Sequence, residues 1–227
     1  MSVVKCESLK KTFSQGESTV IGLDEVDLTI EKGEFVCLSG PSGSGKTTLL
    51  NAIGGLDRPD SGSIYLAERY LEKLSKGDLA ELRLEHIGFV FQAYNLVPVL
   101  SAKENVEFVM ELQGIEKKTR ASLSASILEE VGLGGMEDRR PAQLSGGQQQ
   151  RVAVARAIVS EPALVLADEP TANLDSITAE NLMDLFEELN KTRSITFVIA
   201  THDERVMRRA KRLIHMVDGK IVRDEKK

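Results

Sequence analysis

The sequence has few cysteines and lacks long apolar runs, and these properties argue against several classes of protein. It has no tryptophan and only two cysteines. Cys6 and Cys37 lack the spacing of metal ligands, so we expect reduced, buried thiols. No apolar run approaches the ~18–20 residues of a membrane span, and the first residues lack the apolar core of a signal peptide. We therefore expect a cytoplasmic protein.

Positive charge is also scarce. The 227 residues include 29 Lys and Arg against 35 Asp and Glu, which gives a net charge of −6. A general nucleic-acid binder carries a basic surplus, so we expect no nucleic-acid partner. A local basic stretch, "RVMRRAKR" at 205–212, is interpreted as a solvated helix face.

Apolar residues predict two kinds of sheet. The segments at 2–13 and 19–30 are typical of strands, and Val26, Leu28 and Ile30 alternate, which favours an antiparallel sheet with one buried face. Three short apolar runs differ because they are continuous, and helical patterns separate them. They predict buried strands of a parallel sheet, with ligands at its carboxyl ends; the runs are "FVCLS" (35–39), "ALVLA" (163–167) and "ITFVIA" (195–200).

Helical patterns fill much of the remaining chain. In "SITAENLMDLFEELN" (176–190) one apolar stripe recurs at helical spacing; it consists of Leu182, Leu185, Phe186 and Leu189. The middle of the chain, roughly 93–150, has helical stretches and no strong strand signal. We interpret it as a helical insertion between two parts of the sheet domain.

A glycine-rich loop follows the first buried strand. The segment 40–48, "GPSGSGKTT", fits the phosphate-binding loop G-x-x-x-x-G-K-S/T between a strand and a helix. Its backbone N–H groups can turn toward phosphate oxygens, Lys46 can reach the β- and γ-phosphates, and Thr47 can bind Mg²⁺. A nucleoside triphosphate site is therefore predicted; its residues are Gly40, Pro41, Ser42, Gly43, Ser44, Gly45, Lys46, Thr47 and Thr48.

Two adjacent carboxylates end the second buried strand. In "LVLADEP" (164–170), we expect Asp168 to hold Mg²⁺ through its waters and Glu169 to orient or deprotonate the attacking water. The alternative is an Asp-Glu pair that only caps a helix after the strand.

Together with "LSGGQ" at 144–148, these motifs resemble the nucleotide-binding subunits of ABC transporters. The resemblance covers nearly the whole chain and is greatest for the subfamily of lipoprotein release, macrolide export and cell division. It implies roles for Gln92 in the Q-loop, also as a Mg²⁺ ligand, for Asp175 in the D-loop and for His202 as the switch histidine. It also implies that Phe13 stacks on adenine, although edge packing would explain an aromatic residue there too.

The "LSGGQ" segment predicts a second phosphate cradle. Ser145 and Gln148 have the spacing of a capping box, and Val152, Ala155 and Val159 predict one packed face. Two glycines in a first turn cost roughly 1 kcal/mol each relative to alanine, which indicates close approach to a ligand. The resemblance implies that this ligand is the γ-phosphate bound by a second subunit; the cradle residues are Ser145, Gly146, Gly147 and Gln148.

The expected fold is an α/β P-loop NTPase with a parallel-sheet core, an N-terminal antiparallel β subdomain and an inserted α-helical subdomain. One ABC ATPase domain is expected over 1–227, with the catalytic core at about 1–92 and 151–227 and the helical signature subdomain at about 93–150.

The implied activity is hydrolysis of ATP with Mg²⁺. It would occur in an ATP-dependent homodimer that drives a separate transmembrane permease from the inner face of the cytoplasmic membrane. One alternative is a soluble ABC ATPase that acts on ribosomes or DNA. A P-loop kinase or GTPase is disfavoured, because "LSGGQ" has no role there and no N-K-x-D stretch is present.

Overall fold

The computed structural model describes residues 2–16 and 18–227. The first half of the chain contains β1 (Ser2–Gln15), β2 (Ser18–Glu31), β3 (Phe35–Ser39), α1 (Lys46–Ile53), β4 (Ser61–Leu66), β5 (Arg69–Tyr70), α2 (Lys76–His86), β6 (Ile87–Phe91) and α3 (Ala102–Leu112). The second half contains α4 (Lys117–Glu130), α5 (Gly146–Ile158), β7 (Leu164–Asp168), α6 (Ser176–Arg193), β8 (Thr196–Ala200), α7 (Glu204–Arg209), β9 (Arg212–Val217) and β10 (Lys220–Lys226). Short 3-10 turns lie at Leu71–Lys73 and Pro141–Gln143.

An antiparallel sheet is built in the order β2-β1-β4-β5. In its main pair, Leu9 of β1 lies opposite Val26 of β2. Val26, Leu28 and Ile30 are all buried, as their alternation predicted. The antiparallel N-terminal sheet with one buried face is therefore confirmed.

The larger sheet has the order β10-β9-β3-β8-β7-β6. Its five strands from β9 to β6 are parallel, and β10 pairs antiparallel with β9. The "FVCLS" run coincides with β3, whereas β7 and β8 each begin one residue later than their apolar runs. The predicted parallel core is confirmed, and the polar residues after β3, β7 and β8 share one edge of the sheet.

Hydrophobic cores cover both faces of the parallel sheet. Phe35 and Cys37 of β3 face α3 to α7, and Val36 and Leu38 face α1, α2 and the antiparallel sheet. Continuous apolar runs are what such two-sided burial requires. Both cysteines are buried and free, as expected, and burial raises the pKa of the Cys6 and Cys37 thiols to about 12.

Two sequence-based predictions were wrong in part. The segment 205–212 is not one solvated helix: α7 ends at Arg209, and Arg212 begins β9 as a buried residue. The Arg212 guanidinium donates to Asp224 at 2.8 and 2.6 Å and to Glu34 at 2.8 Å, and these carboxylates make burial of the cation possible.

The packed face of α5 is also wider than predicted. Besides Val152 and Ala155, the residues Ala153, Val154 and Ile158 are buried, because α5 lies among α3, α6 and β6. The division into 1–92, 93–150 and 151–227 stays a prediction, and α5 continues across the boundary after residue 150. Every helix in the described part of the chain is too short or too polar to cross a bilayer.

Candidate functional site

The loop between β3 and α1 has a backbone that only glycine accommodates at two points. Gly40 and Gly45 have φ values of 141° and 99°. A Cβ atom on Gly40 would lie 2.2 Å from the Met216 carbonyl oxygen, and one on Gly45 would lie 2.4 Å from the Gly22 carbonyl oxygen. Neighbouring backbone therefore confines the loop, and the chain turns sharply before α1 begins at Lys46.

The Lys46 ammonium lies at the centre of this loop. It donates hydrogen bonds of 2.8 Å to the carbonyl oxygens of Gly40 and Pro41, and it lies 3.4 Å from Ser44 Oγ. The lysine is buried. A positive charge is thus fixed where the backbone turns, which suits a polyphosphate.

The carboxyl end of β7 meets the start of α1. Thr47 Oγ1 donates to Asp168 Oδ1 at 3.1 Å. Burial raises the pKa of the Asp168 carboxyl, the Thr47 hydrogen bond lowers it, and the charge of Glu169 raises it. Mg²⁺ prefers oxygen ligands and is usually held by one or two carboxylates together with substrate phosphates. The paired oxygens of Thr47 and Asp168 fit that requirement.

Glu169 joins the ends of β7 and β8. Its Oε1 lies 2.7 Å from His202 Nδ1, and its Oε2 accepts a hydrogen bond of 2.9 Å from Thr201 Oγ1. Glu169 has a left-handed backbone with φ 46°, and its N–H donates to the Ala200 carbonyl oxygen at 2.8 Å. Thr201 was not predicted as a site residue from the sequence, although it stands directly before His202.

One cavity of about 730 Å³ brings most of these residues together. Phe13 lines this cavity, and the Lys11 ammonium lies 5.5 Å from its ring centroid. A Cβ atom on Gly22 would come within 2.6 Å of the ring, so the missing side chain leaves space for it. The cavity is lined by Phe13, by the loop from Pro41 to Thr48, and by Gln92, Glu169 and His202.

Gln92 is hydrogen-bonded to Asn173, a residue that was not predicted from the sequence. Asn173 Nδ2 donates to the Gln92 carbonyl oxygen at 3.0 Å, and Gln92 Nε2 donates to Asn173 Oδ1 at 3.4 Å. Asn173 belongs to the "TANLD" stretch that contains Asp175, so its position was the only available signal.

The signature segment stands apart from the cavity. Ser145 Oγ accepts from the Gln148 N–H at 3.3 Å, and Gln148 Oε1 accepts from the Ser145 N–H at 2.9 Å, so the predicted capping box is confirmed. Asp175 instead caps the N-terminus of α6, where its side chain accepts from the Ile177 and Thr178 N–H groups. Neither Ser145–Gln148 nor Asp175 lines the cavity that the described residues form.

The comparisons with known proteins agree with this arrangement. A family model described as "ABC transporter" matches residues 23–172. The chain belongs to the ABC transporter family. The ABC transporter ATP-binding protein MJ0796 of Methanocaldococcus jannaschii is 43% identical over 234 residues, which cover 99% of this chain and 97% of the relative.

Two further similarities concern export and the dimeric state. The macrolide export ATP-binding/permease protein MacB of Rhodopseudomonas palustris is 45% identical over 223 residues, and these cover 98% of this chain but only 34% of MacB. The chain thus spans about a third of the length of that relative. The dimeric structure of MJ0796 bound to ADP and Pi, in a post-hydrolysis state, matches with a TM-score of 0.91 and 42% identity over 98% of each chain. This ABC cassette is an ATP-binding and ATP-hydrolysing subunit, as its motifs predicted.

Proposed function

We propose that the ABC cassette binds MgATP in the cavity between Phe13 and His202 and that two copies close head-to-tail around two nucleotides. The observation that carries the proposal is the separation of the signature segment from its own chain's cavity. The capped N-terminus of α5 suits a phosphate, yet the Lys46 loop occupies a different place in the same chain. Support also comes from MJ0796, which forms a dimer that binds ADP and Pi.

The residues of the site have distinct tasks in this proposal. The Phe13 ring stacks on adenine, and the Lys46 loop holds the phosphates. Thr47, Asp168 and Gln92 would hold Mg²⁺, which would neutralise phosphate charge. Glu169 orients and deprotonates water, and His202 fixes the Glu169 carboxylate in its position.

Closure of the dimer supplies the remaining donors. A two-fold interface creates two equivalent sites, each with the Lys46 loop of one chain and Ser145–Gln148 of the other. The N–H groups of the signature segment then stabilise charge that develops on the phosphoryl oxygens. Hydrolysis removes the γ-phosphate contacts, so the dimer opens.

The moving cassette would act on a separate permease at the inner face of the cytoplasmic membrane. A groove of about 430 Å³ lies beside β6, the strand that leads to Gln92, and is lined by Leu84, Phe89, Phe91, Val109 and Arg156. A membrane partner seated there would respond to movement of the Gln92 loop. The name of MacB, which joins an ATP-binding part to a permease, supports export as the direction.

Mixing two defective chains tests the shared site. A Ser145→Arg chain keeps its Lys46 loop, so it should bind ATP but fail to dimerise. A Lys46→Ala chain keeps its signature segment. Their mixed dimer contains one complete site, so nucleotide-dependent association and phosphate release should exceed the sum of the parents. If the signature segment served its own chain's ATP, neither parent would contain a complete site and mixing would restore nothing.

A further inference from the structure

Tyr94 connects the Gln92 loop to the first turn of α5. A Cβ atom placed on Gly146 would lie 2.9 Å from Tyr94 Oη and 3.8 Å from Tyr94 Cζ. The Tyr94 hydroxyl makes no hydrogen bond to any residue in the described part of the chain. Its contact with the signature glycine is therefore one of close packing.

The backbone of the same residue is held at the far end of α5. Arg156 lies ten positions after Gly146, which is about 15 Å along a helix. Its guanidinium donates to the Tyr94 carbonyl oxygen at 3.0 Å and to the Asn95 carbonyl oxygen at 2.6 Å. Tyr94 and Asn95 are left-handed, with φ values of 60° and 51°, a conformation that persists in ordinary residues only where the surroundings impose it.

These contacts tie the Gln92 loop to α5 at two points. Gln92 itself lines the cavity of its own chain, and its carbonyl oxygen is held by Asn173. Two residues later, Tyr94 contacts Gly146 in the segment proposed to serve the other chain. In the proposed dimer, the loop would therefore join a residue beside its own nucleotide to the segment that serves the partner's nucleotide.

We propose that Tyr94 is a positioning residue that sets the N-terminus of α5 for the nucleotide bound by the partner chain. The proposal rests on the shared-site dimer described above. Loss of Tyr94 should therefore damage the site that its chain completes in the partner and spare ATP binding by its own Lys46 loop. Loss of a residue that acts only through Gln92 would instead damage the chain's own nucleotide site and spare the site that the chain completes in the partner.

The first test uses Tyr94→Ala in the full chain. MgATP affinity, measured with a fluorescent ATP analogue, should stay within about twofold of wild type, whereas turnover should fall by about tenfold or more and the ATP-dependent dimer should be lost. Tyr94→Phe keeps the ring, so it should retain at least about half the wild-type turnover. Tyr70→Ala removes an exposed tyrosine from β5 and should change neither property.

Complementation then separates action on the partner's site from action on the chain's own site. A Tyr94→Ala chain mixed with a Lys46→Ala chain should form one working site, because its Lys46 loop meets an undamaged signature segment. A Gln92→Ala chain in the same mixture should gain nothing, because its defect lies beside its own nucleotide. If Tyr94→Ala also gains nothing while the Ser145→Arg mixture does, the Tyr94 proposal fails and the shared site stands. Failure of both mixtures would reject the shared site itself.

A second measurement does not depend on mixing. Gly146→Ala places its Cβ against Tyr94 Oη, which should displace the signature turn and lower turnover. Adding Tyr94→Phe removes that oxygen and leaves the ordinary 3.8 Å contact with Cζ, so the double variant should recover at least about threefold over Gly146→Ala. Equal turnover in the single and double variants would show that the contact with Tyr94 Oη does not cause the loss of turnover in Gly146→Ala.

Discussion

His202 Nδ1 and Glu169 Oε1 lie 2.7 Å apart at the carboxyl ends of two adjacent parallel strands. Thr201 donates to the other carboxylate oxygen, so both oxygens of Glu169 are engaged. A left-handed backbone costs an ordinary residue ~1–3 kcal/mol, and Glu169 adopts it with φ 46°. The carboxylate is therefore held in one orientation, which a general base requires.

We expect Glu169→Gln to stop the cycle after ATP binding. Glutamine keeps the shape of the side chain but loses the basic carboxylate, so hydrolysis should fall ~10²-fold or more. Size-exclusion chromatography should show an accumulated ATP-bound dimer. Glu161→Gln, on an exposed side chain outside this cavity, is the matched control. Near-normal turnover in Glu169→Gln would contradict the assigned role.

Lys46→Ala should abolish nucleotide binding or hydrolysis, because the polyphosphate loses the positive charge at the centre of the loop. Affinity for a fluorescent ATP analogue and phosphate release are the measurements. The Lys46 ammonium also bonds loop carbonyls, so thermal unfolding must be measured alongside. Unchanged affinity and rate in a folded variant would reject the loop as the phosphate site.

The sequence predicted the elements whose signals are local. The strand at 35–39 and the loop at 40–48 were located correctly because a continuous apolar run and a fixed motif mark them. The α2 helix was missed because its apolar stripe is thin: only Leu79 and Leu82 of its eleven residues are buried. The β10 strand is almost wholly exposed, so its sequence shows no apolar alternation.

The remaining parts of the site depend on contacts between distant segments. Nothing around Tyr94 indicates that its hydroxyl packs against Gly146, 52 positions away along the chain (146 − 94). Arg212 was misinterpreted for the same reason, since its carboxylate partners lie in β10 and before β3. Such contacts become visible only when the sheet order is known.

As the solution is acidified, we expect Mg²⁺ binding to weaken at a higher pH than it would if Asp168 had the pKa of an ordinary aspartate. Burial raises the pKa of Asp168, and protons compete with the metal for the carboxylate. As pH falls through the raised pKa, the Mg²⁺ concentration for half-maximal turnover should rise, and excess Mg²⁺ should restore the rate. Titrations of Mg²⁺ at a series of pH values below neutrality test this.

The raised pKa of Asp168 also predicts how this residue affects the stability of the folded protein. A carboxyl whose pKa is raised by folding destabilises the folded state when it is ionised. Asp168→Asn should therefore raise the thermal stability of the metal-free protein at neutral pH while it weakens Mg²⁺-dependent turnover. A variant that loses stability at neutral pH would contradict burial as the dominant cause.

We expect Gly147→Ala to impair the signature segment, because the added Cβ would clash with the methyl group of Thr178. A Cβ atom on Gly147 would lie 2.3 Å from Thr178 Cγ2 but 3.7 Å from Thr178 Cβ. The methyl group cannot turn away, because Thr178 Oγ1 donates to Asp175 at 2.6 Å and its N–H donates to the same carboxylate at 3.0 Å. Gly147→Ala should therefore displace the signature turn and reduce ATP-dependent dimerisation, whereas ATP binding by the same chain stays intact.

Thr178→Ser supplies the matched rescue, because serine keeps the hydroxyl that bonds Asp175 and lacks Cγ2. We expect Gly147→Ala/Thr178→Ser to regain most of the dimer, and Thr178→Ser alone to behave like wild type. Size-exclusion chromatography in the Glu169→Gln background measures the dimer directly. Thermal stability is a poor readout here, because alanine favours a helix over glycine by about 1 kcal/mol, which opposes the cost of the clash. A double variant as impaired as Gly147→Ala would show that the added Cβ blocks the partner's phosphate itself.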